Sequence, residues 1–168
     1  NNYKSLFDYW KDKIVITNDG IYESLELCGR FRTVELVTWW AGKIMTAYFL
    51  NPKRDASSVK LIHKNFDQGI LKYGNVEIYE KLYAPKVNIA RERDHVIRTA
   101  YKYHNFELIE HLMEPTDWDI FLRSSQSLKS IKWLLKHIPD DYDKKTLSFN
   151  IFKYTEDLEV LEYFLTKP

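Results

Sequence analysis

The 168-residue chain sets 25 Lys and Arg against 24 Asp and Glu, a formal net charge of +1, so no global field draws it to nucleic acid or to an anionic membrane. An apolar share of 45% beside 29% charge, with aromatics at 15%, excludes a disordered chain and is enough to build one core without disulfide or metal support. The longest apolar stretch, VELVTWWAGKIMTAYFL, is interrupted by Glu35, Thr38, Lys43 and Thr46, so no membrane span is expected.

The chain opens on NNYKSLFDYW, with neither Met nor a basic start before an apolar block, and so reads as part of a longer array rather than as a leader. KIVIT, before Asn18-Asp19-Gly20, is the one strand candidate, or an extended connection. Cys28 stands alone, which fits a reducing, cytoplasmic setting.

Beyond this point the chain repeats itself. KYGNVEIYEKLYAP, from Lys72 to Pro85, returns as KYHNFELIEHLMEP, from Lys102 to Pro115. Aligned on the small or polar residue before each apolar run, six copies begin at Asn2, Thr33, Asn75, Asn105, Ser127 and Asp157, spaced 31, 42, 30, 22 and 30 residues apart. Asn, Thr, Ser and Asp are the residues whose side-chain oxygens accept from the free N–H groups of a helix start, so each anchor predicts one. Positions two, five, eight and nine of a copy are mostly large and apolar, the spacing of one helical face.

Pro52, Pro85, Pro115, Pro139 and Pro168 follow these runs and end them. The segments DQGILKY, HVIRTAYKY, WDIFLRS and LSFNIFKY read as the first helix of each pair. The 42-residue step after Thr33 is expected to hold a further hairpin, with GKIMTAYFL continuing or following one helix and SVKLIHKNFDQGILKYG supplying the next. A pair of about 30 residues cannot bury both its faces alone, and stacked neighbours bury them mutually. The predicted fold is therefore all-α, an α-solenoid of about five stacked helical hairpins forming one domain over residues 1–168.

NFELIEHL and DLEVLEYFL resemble the second helix of ankyrin repeats, and DHVIRTAYKYHN resembles the first helix with its short turn. RDHVIRTA replaces the Thr-Pro-Leu-His opening, APKVNIARERD and IPDDYDKK replace the Gly-rich hairpin, and only 5 glycines occur, so the likeness is to a divergent ankyrin-like array. It implies a non-catalytic scaffold that binds another protein. The rival readings are a helical arm of a larger enzyme or of a nucleic-acid-binding complex.

No G-x-S-x-G, P-loop, C-x-x-C or H-E-x-x-H occurs, and no cofactor or metal is expected. His104, Glu107 and His111 form the best metal-like spacing, yet lie on the polar face of their helix, where such residues are usually solvated. Asp140 to Lys144, DDYDK, lacks the Gly and Glu of a calcium loop and reads as a turn. Asp117 and Asp119 fit capping better than acid–base work.

Third and sixth positions carry Glu107 and Glu110, then Lys129 and Lys132, then Glu159 and Glu162, which predicts either a ladder of ion pairs between stacked repeats or a Lys patch for an acidic partner. The seventh position should face outward, and there stand Trp39, Trp133 and Tyr163. Trp39, Trp133, Tyr163, Lys129, Lys132 and Lys136 are the expected partner-binding residues, with Tyr73, Tyr101 and Tyr103 next. Leu158, Leu161, Phe164 and Leu165 have no following copy, which predicts more chain or a partner there.

Overall fold

A computed structural model describes residues 21–50, 57–124, 127–155 and 157–166. The KIVIT segment, the Asn2 copy, Pro52 and Pro168 lie outside them. Among the described residues the regular structure is helical: α1 (Ile21–Cys28), α2 (Val34–Leu50), α3 (Ser57–Tyr73), α4 (from Val76–Ile78 through Tyr79–Tyr83 to Ala84–Lys86), α5 (Ile89–Lys102), α6 (Phe106–Leu112), α7 (Trp118–Leu122), α8 (Leu128–His137), α9 (Lys144–Tyr154) and α10 (Leu158–Thr166).

Each described anchor stands one residue before a helix: Thr33 before α2, Asn75 before α4, Asn105 before α6, Ser127 before α8 and Asp157 before α10. Four of them cap as expected. Asn75 accepts from Ile78 N–H at 2.9 Å, Ser127 from Ser130 N–H at 3.2 Å, Asp157 from Glu159 N–H at 3.0 Å and Thr33 from Leu36 N–H at 3.4 Å.

Proline shapes the other ends. Pro85 has no N–H to continue α4, and the helix widens first, with Ala84 N–H reaching Tyr79 O before a last tight turn over Ala84–Lys86. Pro115 and Pro139 stand beyond the ends of α6 and α8.

Among the described residues the 42-residue step holds two long helices, and SVKLIHKNFDQGILKYG supplies the second, α3, as expected. GKIMTAYFL continues α2, and α2 and α3 are 17 residues each, so two long helices absorb the length. Shortening works the other way between Asn105 and Ser127, where α7 is only five residues.

Odd-numbered helices pack on one another in chain order, α1 on α3, α3 on α5, α5 on α7 and α7 on α9; α2 packs on α4, α4 on α6, and α8 on α10. Phe106 of α6 stacks on Trp133 of α8 at 5.1 Å, which links the even-numbered set. Between the two rows runs the core, with Ile70, Leu71, Ile78, Ile97, Leu108 and Leu122 among its fully buried members. Of the expected positions two, five, eight and nine, position five is buried at Val37, Tyr79, Ile109 and Ile131, while the others are buried in fewer copies or none. Ile78, Leu108, Ser130 and Val160 at position four are buried, whereas position two is only half-buried or, at Leu158, exposed. A helix wedged between its hairpin partner and two row neighbours buries an arc one residue away from the stripe that size alone suggests.

At the α1–α3 crossing glycines face backbone, which lets the two helices approach closely. A Cβ on Gly69 would lie 2.2 Å from Glu26 O, and one on Gly29 would lie 1.9 Å from Gly69 O. At the end of α5 the chain turns through His104 at φ 62°, the only non-glycine residue with positive φ among those described. Asn105 N–H donates to Ala100 O at 2.8 Å and His104 N–H to Tyr101 O at 3.1 Å, which ties off the last carbonyls of α5.

Candidate functional site

Two contacts recur between successive even-numbered helices. In the first, the anchor residue of one copy reaches the residue just before the preceding anchor. Asn75 Nδ2 donates to Arg32 O at 3.0 Å, Asn105 Nδ2 donates to Gly74 O at 2.8 Å, and Ser127 Oγ lies 2.7 Å from His104 Nε2. Asn105 also donates to Leu71 O at 3.0 Å. It is buried and spends its side chain on these two carbonyls, which is why it alone of the described anchors does not cap its helix.

In the second, position six of one copy meets position seven of the next. Glu80 Oε1 lies 2.7 Å from His111 Nε2, Glu110 Oε1 accepts from Trp133 Nε1–H at 3.1 Å, and Lys132 Nζ sits 5.6 Å above the Tyr163 ring. His137 adds a contact to Glu110 at 3.5 Å.

This stagger corrects the expected ladder. Glu107 and Glu110 do not face Lys129 and Lys132: Glu107 pairs with Arg32 at 2.8 Å, and Lys129 lies over the Phe106 ring at 5.8 Å. Where position six of one copy meets position seven of the next, the offset of one residue keeps like-numbered positions apart.

Trp133 is also corrected. It is 7% exposed, stacked between Phe106 and His137 (4.6 Å) and edge-on to Phe121 (5.5 Å) and Tyr101 (6.1 Å). The offset that carries position six onto position seven covers this ring with Phe106 of α6, so position seven is not exposed here as expected. Tyr101, of the second-choice tyrosines, is buried outright. Tyr73 lies under Arg30 at 4.6 Å, and Tyr103 takes Lys72 at 4.1 Å and Lys102 at 5.7 Å on its ring.

Trp39 is half-buried, edge-on to Trp40 at 4.9 Å with Lys43 5.4 Å above it. It belongs to α2, while Tyr163 belongs to α10, so α4, α6 and α8 stand between them in the row and the two rings do not share a patch. Lys129, Lys132 and Lys136 are all exposed on α8, and Lys132 lies over half-buried Tyr163 of α10.

His104, Glu107 and His111 diverge to Ser127, Arg32 and Glu80 respectively. Burial first, and then the Lys129 charge, hold the His104 imidazole below the usual histidine range, so its neutral form is favoured. Asp143, in the acidic turn, caps α9 by accepting from Lys145 N–H and Thr146 N–H, each at 3.1 Å.

One buried ionic group was not announced by spacing. Arg93 of α5 donates through both terminal guanidinium nitrogens, Nη1 and Nη2, to buried Asp117 and through Nη2 to Leu112 O at 2.9 Å, while Asp117 also accepts from Glu114 N–H at 2.6 Å. Burial alone would raise the Asp117 carboxyl, but the Arg93 and Glu114 hydrogen bonds outweigh it and hold the group below the usual carboxylate range. Asp117 thus clamps the α6–α7 turn to α5 instead of capping α7, and Asp119 is exposed near Arg123 and Tyr142.

Lys72, 8% exposed, bonds Glu26 at 2.8 Å beneath Tyr103 and so ties α1, α3 and the end of α5 together. Burial opposes its charge, but the bonds to Glu26 and Tyr103 prevail and hold it above the usual lysine range. Neither signal is local: Arg93 and Asp117 are 24 residues apart, Lys72 and Glu26 are 46 apart. Comparison with known protein families, characterised proteins and solved structures finds no match to this chain.

Proposed function

We propose that this chain is a divergent ankyrin-like α-solenoid of stacked helical hairpins that serves as a non-catalytic, cytoplasmic protein–protein interaction scaffold. The observation that carries the reading is the pair of contacts repeated from copy to copy, anchor to preceding residue and position six to position seven. A stack propagated by the same contacts leaves its side chains for holding neighbours and its outer surfaces for partners. In such a stack the binding face is the one with Lys129, Lys132 and Lys136 beside Tyr163, and its partner is an acidic protein segment. Cys28 suits a reducing compartment as an inert packing residue, since it is buried and burial pushes its thiol up to about 12.

The test is affinity capture read by mass spectrometry, comparing wild type with Lys129→Glu/Lys132→Glu/Lys136→Glu. All three side chains are exposed, so the helical circular dichroism of the variant should be unchanged. Selective loss of acidic partners is expected. Identical bound sets would refute the assignment of this face, and specific capture by neither protein would refute the scaffold reading.

A further inference from the structure

Among the described residues, half of the exposed large hydrophobic side chains fall on the last two helices: Phe149 (66%) and Phe152 (45%) on α9, Leu158 (73%) and Leu165 (82%) on α10. The others, Leu27, Phe49, Leu61 and Tyr103, are scattered over α1, α2, α3 and the end of α5. Contact between Phe152 and Phe164 at 5.7 Å joins the two helices of the apolar group. One side of this pair is already a packing surface, because α9 lies on α7 and α10 on α8. Its other side continues the same two rows. Clustered exposed apolar side chains of this kind mark an interaction surface, unlike single ones.

Charge on the two helices is segregated. KKTLSFNIFKY in α9 has Lys144, Lys145 and Lys153 and no acid, whereas LEVLEYFLT in α10 has Glu159 and Glu162 and no base. A second copy presents the same two helices. Of the two-fold arrangements that cover this face, one sets α10 against its own copy and opposes glutamates to glutamates. The other crosses α9 of one copy with α10 of its partner, opposing lysines to glutamates twice by symmetry.

From these observations we infer that the α9–α10 face is a two-fold self-association surface, in which α9 packs on the partner copy's α10 around Phe149, Phe152, Leu158 and Leu165. This inference rests on exposure and charge, and does not depend on the scaffold reading or on the α8 lysines.

Sedimentation equilibrium of the chain decides it, with two charge-reversed variants: Glu159→Lys/Glu162→Lys on α10 and Lys145→Glu/Lys153→Glu on α9. All four side chains are exposed, and circular dichroism verifies that each variant is folded. Wild type should be a dimer, each variant alone a monomer, and an equimolar mixture of the two a heterodimer, since both crossings are then again opposite in sign. Leu158→Glu/Leu165→Glu should also be monomeric. A wild type that stays monomeric across the concentration range overturns the inference. So does a monomeric variant carrying all four reversals, because its α9–α10 crossings are again opposite in sign whereas α10 against α10 would then oppose lysine to lysine.

Discussion

Gly42 and Gly69 both lie inside 17-residue helices, and the same substitution should move stability in opposite directions at the two. Around Gly42 a new Cβ meets nothing within 4 Å. Gly42→Ala therefore only removes backbone freedom from the unfolded chain and supplies a better helix former, a gain of about 0.5–1 kcal/mol. At Gly69 the same methyl would lie 2.2 Å from Glu26 O and 2.8 Å from both Glu26 C and Cα. All three atoms are backbone, so no rotamer change relieves the overlap, and α1 must move off α3 by about 1 Å to restore ordinary contact distances. Overpacking of this kind costs about 1–3 kcal/mol and at times more. Separating the helices also loosens Leu25, Cys28 and Ile70, which are buried at the same crossing. An overlap with backbone alone lies at the upper end of that range, about 3 kcal/mol, and subtracting a helix-propensity gain of at most about 1 kcal/mol leaves Gly69→Ala destabilised by roughly 2 kcal/mol. For a domain of this size each kcal/mol moves Tm by about 2–4 °C. Thermal and urea unfolding followed by circular dichroism should thus raise Tm by a few degrees for Gly42→Ala and lower it by about 4–8 °C for Gly69→Ala. A Gly69→Ala protein as stable as wild type would show that α1 and α3 do not cross where described.

Asn105→Ala removes both donors from the buried Leu71 and Gly74 carbonyls and should cost about 2–3 kcal/mol in urea unfolding, well above the loss of an exposed cap. Arg93→Met leaves Asp117 charged and buried, which should destabilise by about 3–5 kcal/mol at neutral pH, and the loss should shrink when Asp117→Asn is added. Because the folded Asp117 carboxyl titrates below its unfolded range, the unfolded chain binds the extra proton, and its stabilisation should fade as pH drops below about 4 and be absent in Asp117→Asn. His104 is likewise held neutral below its unfolded range, so stability should fall as pH decreases from about 6.5, and His104→Gln should flatten the chemical-denaturation midpoint between about pH 5 and 7.

The helix starts were legible because they are local chemistry: a polar anchor followed by an apolar stripe requires only the backbone N–H groups a few residues on. All five described anchors stand where helices begin, and even the departures from period, at α2–α3 and at α7, changed helix length rather than helix order. Side-chain destinations were not legible in the same way. Trp133 and Tyr163 share position seven, yet Trp133 is buried beneath the preceding copy's Phe106 and Tyr163 only half so, because no residue of the chain fixes the one-residue offset between packed helices. That offset is set by how two rows of unequal helices fill space, and it alone decided that Glu110 meets an indole instead of Lys132. Contacts such as Arg93 to Asp117 and Lys72 to Glu26 depend on which helices become neighbours, a choice made by the burial of both rows at once. Sequence thus determined where α2, α4, α6, α8 and α10 begin, since propensity and capping act over a few residues, whereas α1 (Ile21–Cys28) carried no such anchor. Tertiary packing decided which of its polar and aromatic groups hold the helices together and which remain outside, since that outcome belongs to pairs of elements and to no single segment.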